Sequence, residues 1–451
     1  MSDSKKQKLM EVSTKPASGF RDFLGLEAKK RSELIAKIEK TYESFGFERV
    51  ETPSLENIEI LLGSGGQDNE KLIFKILKRG EKLREVIEKA NSWEAELADL
   101  GMRFDLTVPL CRLVAEYRDK IALPWKTFHI APVWRAERAQ RGRYREFFQC
   151  DVDIVGAAGI GAELEVIQTV VKAFTNLGVN DIELHLNHRG VIEAVAEKFG
   201  FGEKKQEFAI LLDKRDKLSA EKFEGALSEL SGTKAPTQLL EIIAGKSKAS
   251  DFEKLAPEAY QQIFEIEEAL SRLSLGLKDV KFNPSLVRGM GYYTGMVFEV
   301  MHASEGLALG GGGRYDKLVG RFSKQNIPAV GFSLGFERLL LLLEKSKDAL
   351  SSPSPRRIFI PVFDEKLRVP VLQLATELRD HGMECDVYPD ADKLKSQLKF
   401  ASQRNYRWVL MAGEDEIQSR EFKIKDFTSG EEEIVAQGHL PNHFKRLLKL
   451  D

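Results

Sequence analysis

"VWRAERAQRGRYREFFQ", residues 133–149, places five arginines in eleven positions, Arg135, Arg138, Arg141, Arg143 and Arg145, within a chain of net charge −2. Strand geometry sorts them. If His129 to Glu137 and Arg143 to Asp153 are two strands joined by the turn "RAQRG", successive side chains point to opposite faces. The odd face of the second strand then carries Arg143, Arg145, Phe147, Gln149, Asp151 and Asp153, and the even face, from Tyr144 and Glu146 to Phe148, Cys150, Val152 and Ile154, is mostly core. Arg135 and Glu137 of the first strand join the odd set. A hairpin therefore gathers cations, carboxylates, an amide and one ring on a single surface. A solvated sheet face accommodates such charges equally well. Phe147 among them tilts the balance, because a ring suits a flat apolar base stacked beside phosphates.

Composition bounds the rest. With 451 residues, 42% hydrophobic and 31% charged, the chain can bury sizeable cores and is expected to be a soluble globular protein of two or three domains. The opening "MSDSKKQK" lacks the apolar run of a signal peptide, and no stretch approaches the roughly 18 apolar residues that span a bilayer, so no membrane association and a cytoplasmic location are expected. Cys111, Cys150 and Cys385 are too scattered for a disulfide framework or a zinc-binding cluster. The balance of 68 basic against 70 acidic residues gives no whole-chain nucleic-acid signature, which leaves contact with nucleic acid to local patches.

Along the chain, Glu27 to Phe45 has helical apolar spacing and leads into the strand-like "FERVETP". Residues 56–100 read as mostly helical and polar. Strand signals dominate from Arg103 to Val155, and about 190–275 reads as a charged helical insertion. Strands return from Asp279 to Val300 and near Ile327, before "LGFERLLLLLE" begins a helix too apolar for a surface. "SKDALSSPSP", at 346–355, reads as a linker. Beyond it, "RIFIPVF", "MECDVYP" and "YRWVLMAG" alternate with helices around Val369 to His381 and Lys393 to Arg404, the pattern of a small parallel α/β sheet over 356–451.

Other motifs fall away. "AGKSK" has the Gly-Lys-Ser of a P-loop, but the earlier glycine it requires is Leu240. "GMGYYTG" runs on into the strand "MVFEV", where a dinucleotide fingerprint needs a helix. The pairs His185/His188 and His439/His443 have no third ligand at metal spacing, so no protein-bound metal is expected.

Arg135-Ala-Glu137, the loop and "GRYREFFQCDVDIVG" resemble motif 2 of class II aminoacyl-tRNA synthetases in the histidyl version. "GFERVETPSLE" resembles motif 1, and "AVGFSLGFERLLLLLE", with Arg338, resembles motif 3. "LVRGMGYYTG" and "GGGGRYDKLVG" resemble the two segments peculiar to histidyl-tRNA synthetases, and the peptides stand in family order over nearly the whole chain.

The resemblance implies an α+β catalytic domain, residues 1–345, built on an antiparallel sheet flanked by helices, with the helical insertion inside it. It also implies an anticodon-binding-like domain at 356–451. The implied reaction joins L-histidine and ATP, with Mg²⁺ accompanying the nucleotide, into histidyl-adenylate and passes histidine to tRNA(His), in a homodimer formed through the motif 1 region. Arg135 is implied at the α-phosphate and Glu137 at the adenine amino group, with Phe147 under the base, Arg338 over it and Arg143 near the outer phosphates. Arg288 would reach the α-phosphate from the side opposite Arg135. Asp153 and Tyr293, with Tyr292 and Tyr315, match the imidazole site; Asp105, Thr107 and Gln149 match positions holding the substrate's amino and carboxylate groups. Arg138, Gln140 and Arg141 match the loop that meets the tRNA acceptor end. Two departures stand out: Ala139 where the family's loop usually has proline, and Gly291 where many relatives have Asp. A regulatory paralogue that senses histidine on the same fold and a tRNA-binding protein without catalysis are the alternatives. The first typically lacks the terminal domain and some of these arginines.

Overall fold

The computed structural model describes residues 13–62, 70–88, 97–140, 142–215, 218–288, 291–345 and 357–448. Arg141, the linker at 346–355 and the opening "MSDSKKQK" lie outside the described residues. The chain forms two compact units, residues 1–350 and 351–451.

In the first unit a helix, Gly25–Ser44, precedes the two-residue strand β1 (Glu48–Arg49). Next come β2 (Leu55–Asn57), β3 (Lys75–Leu77) and β4 (Ala98–Met102), which pair as a three-stranded sheet in the order β2-β4-β3. The reading of 56–100 as mostly helical missed these three strands; Ile58–Leu61 and Glu81–Glu88 are helices as expected. Strands of three to five residues are too short to show a clear alternation.

The large sheet contains β1, β5 (Trp125–Trp134), β6 (Glu146–Val155), β7 (Ile182–His188), β8 (Asp279–Phe282), β9 (Met296–His302), β10 (Leu307–Arg314) and β11 (Ala329–Gly335). Its order is β1-β5-β6-β11-β10-β9-β7-β8. The six central strands are antiparallel, and a parallel pair closes each edge, β1 with β5 and β7 with β8. The sheet is thus antiparallel through its middle and mixed overall. The hairpin differs from its expected bounds: β5 begins at Trp125 and ends at Trp134, and β6 starts only at Glu146, so Arg135 and Arg143 stand in the loop beyond the paired strands. Gly142, at φ 76°, turns that loop where other residues would be strained.

One face of the sheet is covered by helices. Val166, Ile167, Val170 and Phe174 of helix Gly161–Asn176 are buried with Cys150, Val152 and Ile154 of β6 in the principal core. The helices from Arg189–Lys198 to Pro257–Leu273 continue the same core. The helix Phe336–Lys345 is anchored at its start by Glu337, 6% exposed, whose carboxylate accepts from both Nη1 and Nη2 of Arg31 at 2.8 and 2.7 Å and from Arg21 at 2.8 Å. Without those partners the buried charge would be strongly destabilising.

The second unit has a five-stranded sheet of β12 (Arg357–Ile360), β13 (Glu384–Val387), β14 (Trp408–Met411), β15 (Glu421–Asp426) and β16 (Glu432–Ala436), ordered β13-β12-β14-β15-β16. The first three are parallel, as expected from their apolar runs. The β15–β16 hairpin joins antiparallel. Its charged sequence, with only Phe422 and Ile424 fully turned inward, gives no clean apolar run to read.

Candidate active site

The uncovered face of the large sheet holds a cavity of about 260 Å³. Its floor follows from the period of two along β6. Phe147, Gln149, Asp151 and Asp153 line it, while Cys150, Val152 and Ile154 point into the core beneath. Glycines of β10 and β11, Gly310, Gly311, Gly331 and Gly335, leave room for side chains from other elements to lie across them, and β11 adds the Ser333 hydroxyl. A Cβ at Gly311 would fall 2.4 Å from Cζ of Arg288, and one at Gly331 would fall 1.8 Å from Oδ1 of Asp153.

Four of the lining residues are cationic. Arg135, Arg143, Arg288 and Arg338 all line it. Arg135 Nε donates to the Phe104 carbonyl at 3.0 Å, and its guanidinium lies 5.0 Å from the Phe147 ring centroid. Burial pushes its pKa down, and Asp105 and Glu137 oppose that shift. Arg338 Nη1 donates to the Ala308 carbonyl at 2.9 Å. Burial pushes its pKa down too, with Arg143 and Arg288 adding to the shift and Glu299 opposing it. Arg143 pairs with Glu137 at 3.2 Å. Arg288 has the left-handed backbone, φ 58°, and pairs with Glu299 of β9 at 2.5 Å.

Others are acidic or aromatic. Asp153 Oδ1 accepts from the Tyr315 hydroxyl at 2.6 Å. Burial raises its carboxyl to about 7, with Tyr315 pulling the other way and Asp105 adding to the rise. Asp105, raised to about 6 by burial, accepts from the Val108 amide at 3.1 Å and stands 3.5 Å from the Tyr292 hydroxyl. Thr107, 9% exposed, opens the helix that follows and hydrogen-bonds Tyr292. The rings of Tyr292 and Tyr293 lie 5.0 Å apart. Asp151, 3% exposed, is pushed well above the usual carboxylate range by burial and then by Asp153.

The structure thus brings together Arg135, Glu137, Arg143, Phe147, Arg288 and Arg338 with Asp105, Thr107, Gln149, Asp153, Tyr292, Tyr293 and Tyr315 around one cavity. It does not bring in Arg138 or Gln140, which are exposed in the loop and do not line it. Arg145 braces the chain instead, its Nε donating to the Glu137 carbonyl at 3.0 Å and its backbone N–H to the Gly19 carbonyl at 2.9 Å. Asp151 and Ser333 went unassigned in the sequence. For Asp151 a signal existed, its odd position on β6. It places a further buried carboxyl beside Asp153, while Gly291 is exposed. Among the described residues no group of three or more His, Cys, Asp or Glu is placed to hold a metal ion, and no helix is long and apolar enough to cross a membrane.

Comparison with known proteins identifies the family. Residues 19–339 match the family model described as histidyl-tRNA synthetase, and residues 357–447 match an anticodon binding domain. The histidine–tRNA ligase of Christiangramia forsetii is 34% identical over 92% of this chain and 95% of its own length. That of Leifsonia xyli subsp. xyli is 37% identical over 87% of this chain and 94% of its own. The crystal structure of histidyl-tRNA synthetase from Nostoc sp. PCC 7120 superposes with a TM-score of 0.75 at 24% identity, covering 97% of this chain and all of the other, which supports the fold. A cavity lined by four arginines and by the buried carboxyls of Asp105, Asp151 and Asp153, on a sheet of this order and in a chain with these relatives, places the protein in the histidyl-tRNA synthetase family of aminoacyl-tRNA ligases.

Proposed function

We propose that the cavity divides the family's reaction by charge, with the nucleotide phosphates at the arginines and L-histidine at the carboxyls and tyrosines. The carrying observation is that Arg135, Arg288 and Arg338 line one space together with the buried carboxyls of Asp105, Asp151 and Asp153. The histidine carboxylate attacks the α-phosphorus of ATP, an acyl–phosphate bond forms, and pyrophosphate leaves with the electron pair of the broken P–O bond. Charge develops on the phosphate oxygens, where Arg135 and Arg288 stand as fixed donors. Phe147 and Arg338 hold the base between them, Glu137 reads its amino group, and Arg143 lies toward the outer phosphates, where Mg²⁺ enters as part of the nucleotide complex.

Asp153, oriented by Tyr315, accepts an imidazole N–H, and Tyr293 completes the ring's polar contacts; Asp105, Thr107 and Gln149 take the amino group and carboxylate. A site that hydrogen-bonds both ring nitrogens rejects analogues that leave its own groups unpaired. The 3′ hydroxyl of tRNA(His) then attacks the acyl carbon, an ester forms and AMP leaves. The exposed Arg138 and Gln140 suit contact with the acceptor end, and Arg141 belongs to the same loop. Residues 351–451 take the anticodon side of the tRNA. A homodimer through the region around β1 and a cytoplasmic location complete the reading. L-histidine-dependent ATP–pyrophosphate exchange with the purified chain tests it. Exchange with histidine and with no other amino acid is expected; no exchange with any amino acid would favour a binding-only role.

A further inference from the structure

Gln149 and Asp151, two residues apart on β6, are 7% and 3% exposed and both line the cavity. Ser333 of β11 stands in register opposite Asp151. The Gln149 amide nitrogen Nε2 donates to Ser333 Oγ at 2.6 Å and lies 3.4 Å from Asp151 Oδ1, while Ser333 in turn hydrogen-bonds Asp151. The other end of the amide, Oε1, is buried and has no hydrogen-bond partner among the described residues.

These contacts have a direction. The amide nitrogen faces two oxygens, Ser333 Oγ and Asp151 Oδ1, each with a lone pair to offer it. Only the nitrogen end of the amide can answer a lone pair. The amide is thereby held one way round, with its acceptor oxygen left without a partner in a residue that lines the cavity. A buried acceptor without a donor is costly, and a ligand that brings a donor removes the cost. The reversed amide would set an NH₂ group against the substrate's ammonium group.

Resting on the histidine reading of this pocket, we propose that Asp151 and Ser333 are positioning residues of the amino-acid site. They hold the Gln149 carboxamide by its nitrogen so that Oε1 accepts a hydrogen bond from the ammonium group of the bound amino acid.

Pyrophosphate exchange with L-histidine and ATP, measured for Asp151→Ala, Ser333→Ala, Gln149→Ala and the Asp151→Ala/Gln149→Ala double variant of the full chain, tests this. Asp151→Ala should raise the KM for histidine about tenfold or more, the scale of one lost hydrogen bond to a charged group, with the KM for ATP within about twofold. In the Gln149→Ala background the same change should add less than about twofold, because its effect passes through the amide. Ser333→Ala should follow Asp151→Ala in direction, and carries the test alone if Asp151→Ala does not fold. The inference is overturned if Asp151→Ala and Ser333→Ala both leave the KM for histidine within about twofold. It is equally overturned if Asp151→Ala keeps its full effect without Gln149, since Asp151 would then touch the substrate itself. An unchanged KM in Gln149→Ala alone would instead remove the histidine assignment on which the inference stands.

Discussion

The Tyr315 hydroxyl donates to Asp153 Oδ1 at 2.6 Å, joining the residue that follows β10 to β6 across β11. Burial, with Asp105 adding to it, raises the Asp153 carboxyl to about 7, and this hydroxyl holds it below the value it would otherwise reach. Tyr315→Phe removes that restraint. If ionised Asp153 accepts the imidazole N–H, the pH below which the KM for histidine climbs should move upward in Tyr315→Phe. A pH series of pyrophosphate exchange checks it, and an unmoved acid limb would separate Asp153 from histidine binding.

Asp153→Asn should divide stability from activity. Folded Asp153 and Asp105 keep their protons to about 7 and about 6, whereas unfolded carboxyls lose theirs near 4. Between those values the folded state binds more protons than the unfolded chain, so stability falls as pH rises through that window. Replacing the charge by a neutral amide removes this penalty and the repulsion of Asp151. Thermal melting at pH 8 should therefore be no lower for Asp153→Asn than for the parent, while its KM for histidine rises far more than its KM for ATP. A markedly lower melting temperature would mean that the hydrogen bond outweighs the charge.

Arg288 is tied to Glu299 at 2.5 Å, so a bracing role competes with the catalytic one. Removing one preorganised donor at a developing charge costs about 10²–10³ in rate. We expect Arg288→Ala to melt nearly as the parent does, to bind histidine, and to lose at least about a hundredfold in exchange. Glu299→Gln breaks the ion pair but leaves the cation, and should retain most of the exchange. Equal losses of melting temperature in both variants would favour the brace.

Two neighbouring glycines should fail differently. A Cβ at Gly311 would meet the Arg288 guanidinium at 2.4 Å, the far end of a flexible side chain. Gly311→Ala should thus fold and lose activity by displacing Arg288. At Gly312 the Cβ would fall 1.9 Å from the Gly331 carbonyl oxygen, in the sheet backbone. Gly312→Ala should lower the yield of folded protein. Soluble expression, melting and exchange rate distinguish the two; a fully active Gly311→Ala would contradict the placement of Arg288.

A chain ending near Ser351 keeps every residue of the cavity and drops the second compact unit. Adenylate formation should survive in it and tRNA charging should fall. Full charging by the soluble fragment would count against an anticodon-reading role for residues 351–451.

The local sequence determined which face each residue of β6 would take, because strand side chains alternate whatever surrounds them. Phe147, Gln149, Asp151 and Asp153 could therefore be grouped on one surface opposite Cys150, Val152 and Ile154, and the resemblance of the motifs identified Arg135, Arg288 and Arg338 as partners in the same chemistry. Pairing across strands was a different matter. The contacts of Asp153 with Tyr315, Arg288 with Glu299 and Gln149 with Ser333 join positions 11 to 184 residues apart, and they depend on a strand order, β6-β11-β10-β9, that no local pattern encodes. The short strands β2 to β4 and the charged β15–β16 hairpin escaped for a related reason: their partners, more than their own periodicity, make them strands. Only the tertiary structure could decide that Asp151 is a buried carboxyl rather than a solvated one, since its environment is supplied by Ser333 on the neighbouring strand and by Gln149, Asp153 and Asp105 around it.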